Sequence, residues 1–139
     1  MCSDDSVANL SNDEFVEDVH DLGLPVTTNA SEIKAFLNKR INAQRIVFVT
    51  YHSGPVFAEA ARLARATIDL AIFDEAHKTV GAQVKSFATL LFDKNIRIRQ
   101  RMFVTATERV VRGSHDDVVS MDKQELYGDC IYQIGRAHV

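Results

Sequence analysis

Three short apolar runs, each ending in polar residues, set the framework of the chain. Arg45-Ile-Val-Phe-Val-Thr50 is β-branched and apolar, the signature of a strand buried on both faces. Gly54 and Pro55 break it, and the alanine-rich stretch 56–66 predicts a helix. Asp69-Leu-Ala-Ile-Phe-Asp74 is a second run of the same kind, a helical stretch is predicted over 84–92, and Arg101-Met-Phe-Val-Thr-Ala-Thr107 is the third. Strand, helix, strand, helix, strand predicts an α/β fold: a parallel sheet with right-handed crossovers. Residues 130–134 predict a fourth strand after an acidic stretch. Ahead of the sheet, Ser11 and Glu14 form a capping box before Phe15, Val16 and Val19, with Gly23 and Pro25 as the stop. Asn29 and Glu32 repeat the capping pattern before Ile33, Phe36, Leu37 and Ile41.

Composition narrows the class. The 139 residues fit one compact domain, and 46% apolar with 25% charged residues excludes whole-chain disorder. No apolar run approaches the roughly 18 residues of a membrane span, so no membrane partner is expected. The acidic, polar start carries no secretory signal pattern, and Cys2 and Cys130 alone make neither a metal knuckle nor a disulfide framework. A reduced, cytoplasmic protein is the expectation. The net charge of −3 hides a gradient. Residues 1–32 carry eight acids and no Lys or Arg, residues 33–113 fourteen bases and six acids, and residues 114–139 two bases and five acids. The basic middle reopens nucleic acid as a partner, which the total charge argues against.

In open α/β sheets ligands sit beyond the carboxyl ends of the strands. Those ends here are Thr50-Tyr51-His52-Ser53, Asp74-Glu75-Ala76-His77 and Thr105-Ala106-Thr107. Two consecutive carboxylates at a strand tip suit phosphate chemistry. One can hold a hydrated Mg²⁺ brought by substrate phosphates, and the other can deprotonate an attacking water. Asp74-Glu75-Ala76-His77 resembles the Walker B box, motif II, of superfamily 2 DEAD/DEAH-type helicases and translocases. Thr105-Ala106-Thr107 resembles their motif III, and Thr50-Tyr51-His52-Ser53 the Thr-Tyr-x-Ser element of restriction-enzyme-type helicases. With Pro25-Val-Thr-Thr28 and the acidic lead-in, the chain looks most like helicase subunits of bacterial restriction or phage-defence systems.

The resemblance implies a RecA-like lobe of the P-loop NTPase type, with ATP and Mg²⁺ as cofactors and DNA as partner. It implies Asp74 as the Mg²⁺ residue, acting through water, and Glu75 as the base for ATP hydrolysis. His77, Thr105 and Thr107 link the nucleotide site to the partner lobe and to nucleic-acid movement. Thr50, Tyr51 and Ser53 lie near the nucleic-acid path, where hydroxyls hold phosphates and a ring stacks on a base. No G-x-x-x-x-G-K-[ST] occurs, so the phosphate-loop strand of that lobe is missing. The second RecA-like lobe and its arginine finger are missing too. The expectation is a fragment: an acidic helical lead-in at 1–44, a partial ATP-binding lobe at 45–134, and a tail at 135–139 that reads as non-native. Such a fragment is expected to be inactive alone, and its unpaired sheet edge predicts limited stability or dimerisation.

Other readings stay open at this level. A non-catalytic nucleic-acid-binding or assembly module would keep the fold without ATPase activity. A Mg²⁺-dependent phosphoesterase using Asp74, Glu75 and His77 would need further carboxylates, for which the chain offers no clear candidates. Arg97, Arg99 and Arg101 alternate at strand spacing as a solvated face or a phosphate-contacting patch, and Arg109 and Arg112 read the same way. His20, His115 and His138 have no partner at metal-ligand spacing. Cys130 reads as a buried strand residue.

Overall fold

The computed structural model describes residues 26–81, 86–111 and 118–133. The capping box at Ser11, the stop at Gly23 and Pro25, Cys2, His20, Arg112, His115 and the tail with His138 lie outside the described residues. The order of elements is helix α1 (Ala30–Asn38), helix α2 (Gly54–Ala64), strand β1 (Thr67–Phe73), strand β2 (Arg97–Phe103) and a short helix α3 (Gln124–Tyr127). Single 3₁₀ turns occupy Ala76–Thr79 and Thr89–Leu91. Among the described residues no helix is long and apolar enough to cross a membrane.

Helix α1 starts where the capping pattern places it, but the cap is not reciprocal. The Asn29 side chain accepts from the Ser31 amide at 2.9 Å, while the Asn29 amide itself donates to Thr27 Oγ1 at 3.0 Å rather than to Glu32. The far end has no basic residue in its last turn. Arg45 supplies one from outside, donating to the Leu37 and Lys39 carbonyls with its guanidinium over the Phe36 ring. Helix α2 opens with Pro55 in its first turn and ends at Arg65 in the left-handed region.

Strands β1 and β2 are parallel, in register from Thr67 opposite Arg97 to Phe73 opposite Phe103. The crossover between them confirms the parallel α/β plan, but the sheet differs from expectation in four ways. The sheet of the described residues has two strands, and residues 45–50 are not part of it. They keep the period-2 pattern, with Val47 and Val49 packed on the core and Ile46 and Phe48 exposed, but take no place in the ladder. Second, β2 begins at Arg97 rather than Arg101, because the Arg97, Arg99, Arg101 alternation is itself strand pattern. It stops at Phe103, where β1 also ends. Third, neither strand is buried on both faces: Leu70 is 52% and Ile72 63% exposed, beside Met102 on the paired strand. Fourth, residues 130–133 form no strand, and Cys130 is exposed. In place of the helix expected at 84–92, residues 86–91 form turns.

The core gathers one face of each element: Ile33 from α1, Phe57 and Ala61 from α2, Phe73 from β1, Ile98 from β2, and Leu91 between them. Helix α1 packs on α2, and α2 on the turn at Thr89–Leu91. Phe73 and Phe103 stack at 4.9 Å across the two strand ends, fixing the height at which both chains leave the sheet.

Candidate functional site

The site is built at that exit. The ladder runs one step past the strands: the Val104 amide donates to the Phe73 carbonyl and the Ala76 amide to the Val104 carbonyl, both at 2.9 Å. Between these bonds the chain turns sharply through Asp74 and Glu75. Glu75 sits in the left-handed region at φ 52, a conformation that costs a non-glycine residue free energy. The Asp74 carboxylate accepts the Glu75 amide at 2.9 Å, a local bond that favours this turn. Ala76 is fully buried, so the box has room for a small residue only at its third position. Asp74 and Glu75 themselves are exposed.

His77 and Thr105 meet across the two strand tips. His77 Nδ1 lies 3.0 Å from Thr105 Oγ1 and 3.2 Å from a Glu75 carboxylate oxygen. Thr105 Oγ1 donates to the Thr107 carbonyl at 3.0 Å and accepts the Thr107 amide at 3.2 Å. The single hydroxyl proton is thereby used. Thr105 must accept from His77, which places a proton on Nδ1, where the Glu75 carboxylate also needs one. Thr107 enters through its backbone, not through contact of its side chain with the acidic pair.

The Thr50–Ser53 turn stands against the same box. Thr50 Oγ1 donates to Ser53 Oγ at 3.1 Å and the Ser53 amide donates to the Thr50 carbonyl at 3.0 Å. Tyr51 reaches out of this turn and donates its hydroxyl to the Asp74 carbonyl at 2.6 Å. Burial of the phenol, with the Asp74 charge as a smaller cause, pushes its pKa up to about 12. The hydroxyl is therefore a donor at any physiological pH. The Tyr51 and His52 rings both contact Phe87, at 5.6 Å and 4.6 Å.

Of the residues singled out in the sequence, Tyr51, Asp74, Glu75, His77 and Thr105 form one connected group. Thr50 and Ser53 flank Tyr51 in the same turn. Arg101 is mainly structural: largely buried, it pairs with Asp93 at 2.7 Å and donates to the Leu90 carbonyl. Arg99 pairs with Asp69 at 3.3 Å, and Arg97 is exposed. Sequence reading missed Phe87 and Tyr127. The Tyr127 hydroxyl meets Thr79 Oγ1 at 2.6 Å and so braces the turn behind His77. A pairing across 48 residues leaves no local signal.

Among the described residues no three His, Cys, Asp or Glu side chains gather as a metal group. Two adjacent carboxylates suit a Mg²⁺ that arrives with phosphate ligands, not one held by protein alone. Two shallow depressions lie elsewhere. One is lined by Thr67, Asp93, Arg97 and Arg99 and the other by Glu59, Arg62 and Lys94, and neither includes a residue of the strand tips. The site is identified by its chemistry rather than by a cavity.

No protein-family model and no curated protein matches the chain. Solved structures do. The chain is similar to a nuclease-deletion mutant of the Type ISP restriction-modification enzyme LlaGI in complex with a DNA substrate mimic, at 30% identity and a TM-score of 0.61 over 76% of this chain. It is also similar to the ATP-dependent Type ISP restriction-modification enzyme LlaBIII bound to DNA, at 28% identity and a TM-score of 0.66 over 85% of this chain. The chain spans 9% of each of those proteins. It shares its α/β fold with one segment of two large restriction-modification enzymes.

Proposed function

We propose that the chain is part of the RecA-like ATP-binding lobe of a DNA helicase or translocase of a restriction or defence system. The observation that carries this reading is the His77–Thr105 contact at 3.0 Å, which joins two motifs 28 residues apart at adjacent parallel strand tips. The likeness to an ATP-dependent, DNA-bound restriction-modification enzyme supports it. Asp74 would hold a Mg²⁺ entering with the nucleotide, and that ion would supply charge neutralisation at the phosphates. Glu75 accepts the proton of the attacking water through its exposed carboxylate. Its partner His77 holds that carboxylate in place and, through Thr105, ties it to the neighbouring strand tip. The half-buried Thr50–Ser53 turn, with His52 exposed, and the basic middle of the chain face DNA phosphates.

A second reading is a nucleic-acid-binding or assembly module that keeps the fold without turnover. One experiment separates the two. The matching segment of LlaBIII is replaced by this chain, and DNA-dependent ATP hydrolysis is measured. The expected result is retained hydrolysis that Glu75→Gln lowers by at least about 10², the scale of a general base. A chimera that folds by circular dichroism yet hydrolyses no ATP overturns the motor reading. The chain alone is expected to show no turnover at saturating Mg·ATP.

A further inference from the structure

The peptide that joins Asp74 to Glu75 is held at both ends. Its N–H is bonded to the Asp74 carboxylate, and its carbonyl accepts the Tyr51 hydroxyl at 2.6 Å. Neither end belongs to the β ladder, which uses the Phe73 carbonyl and the Ala76 amide instead. A peptide followed by a left-handed Glu75 has no regular structure to fix its plane, so these two bonds fix it. Rotating that plane would re-aim both carboxylates at once. Of the two bonds, one is internal to the acidic pair and the other comes from the Thr50–Ser53 turn, 23 residues away in sequence.

We propose that Tyr51 is a positioning residue through which nucleic acid bound at the Thr50–Ser53 turn sets the orientation of the Asp74–Glu75 peptide. This rests on the reading that the turn contacts DNA. The Tyr51 ring lies against Phe87, with interplanar angle 31°, and its hydroxyl is spent on the box. The ring is therefore occupied in a way that a base-stacking platform would not be. His52, exposed and edge-on to the same Phe87, is the aromatic of this turn that a base can reach. A ligand that shifts the turn moves Phe87 and Tyr51 together, and the rigid phenol transmits the shift to a single carbonyl. Coupling of this kind is reciprocal: an ion or phosphate drawn to Asp74 and Glu75 would in turn alter the affinity of the turn for DNA.

The test uses the isotopically labelled chain titrated with a 20-base-pair DNA duplex and followed by two-dimensional NMR. In the wild type, the amides of Tyr51 to Ser53, the Asp74 carbonyl carbon and the Glu75 amide are expected to shift along one titration curve. In Tyr51→Phe, which keeps the ring and removes only the hydroxyl, the turn still responds and the Asp74 and Glu75 response is lost. If Asp74 and Glu75 still follow DNA in Tyr51→Phe, Tyr51 is not the link, while the DNA reading of the turn stands. If wild-type Tyr51 to Ser53 show no response to DNA, the DNA reading fails and takes this coupling with it. The wild-type arm needs no variant: a turn that titrates without the Asp74 carbonyl also overturns the proposal.

Discussion

At His77 one ring nitrogen serves two oxygens, and the neighbouring hydroxyl decides how. Because Thr105 gives its proton to the Thr107 carbonyl, it offers His77 only a lone pair. His77 is therefore expected in the Nδ1–H form, visible as a protonated Nδ1 in long-range ¹H–¹⁵N spectra. Thr105→Val removes that acceptor and should cost about 1 kcal/mol in urea unfolding, with Thr105→Ser close to wild type. Tyr51 gives a pH signature. Burial and the nearby Asp74 charge favour the neutral phenol in the fold, and burial raises Tyr127 in the same direction. The associated stability is complete below the ordinary tyrosine value of 10.0 and is lost as pH rises towards about 12. Melting temperatures between pH 8 and 12 should fall in that window, and less steeply in Tyr51→Phe.

At the scale of elements, β1 is two-faced in a way that its composition hides. Phe73 is 5% exposed and stacks on Phe103, whereas its neighbour Ile72 lies on the open face. Phe73→Ala is expected to cost about 3–5 kcal/mol, enough to unfold a marginal domain. Ile72→Thr should stay within about 0.5 kcal/mol, because little burial is lost. Chemical denaturation of the two variants checks both. The helix cap at Asn29 and the parallel pairing were legible from the sequence, as was helix α2, although it starts at Gly54 rather than Val56 because Pro55 fits a first helical turn. The fate of residues 45–50 was not. A β-branched run specifies extended chain with one face inward, but a strand also requires a neighbouring backbone to complete its hydrogen bonds.

Across the whole molecule, the open sheet face is the main liability. Leu70, Ile72 and Met102 form an exposed apolar strip on one side of the two-stranded sheet. Exposed apolar strips beside sheet edges promote association. Sedimentation should show concentration-dependent self-association, suppressed in a Leu70→Lys, Ile72→Lys double variant. A wild-type chain that stays monomeric across that range would contradict this. The charge gradient acts at the same scale. On the proposed DNA-binding reading, affinity carried by the basic middle should drop steeply between low and physiological salt, as counterion release requires.

By itself the sequence determined the α/β class of this protein and where its polar strand tips lie. Apolar runs with polar tips dictate a parallel α/β plan, and two carboxylates with a histidine directly after an apolar run mark the strand tip as the candidate site. These are local properties, fixed by side-chain type and period. Tertiary structure decided which tips meet. It brought His77 to Thr105 and Tyr51 to the Asp74 carbonyl, and it turned Arg101 from a candidate phosphate contact into the partner of Asp93. It also decided that one face of the sheet stays open. Hydrogen bonds between residues tens of positions apart depend on where two strands end relative to one another, and that is set by packing of Phe73 on Phe103 rather than by either segment alone.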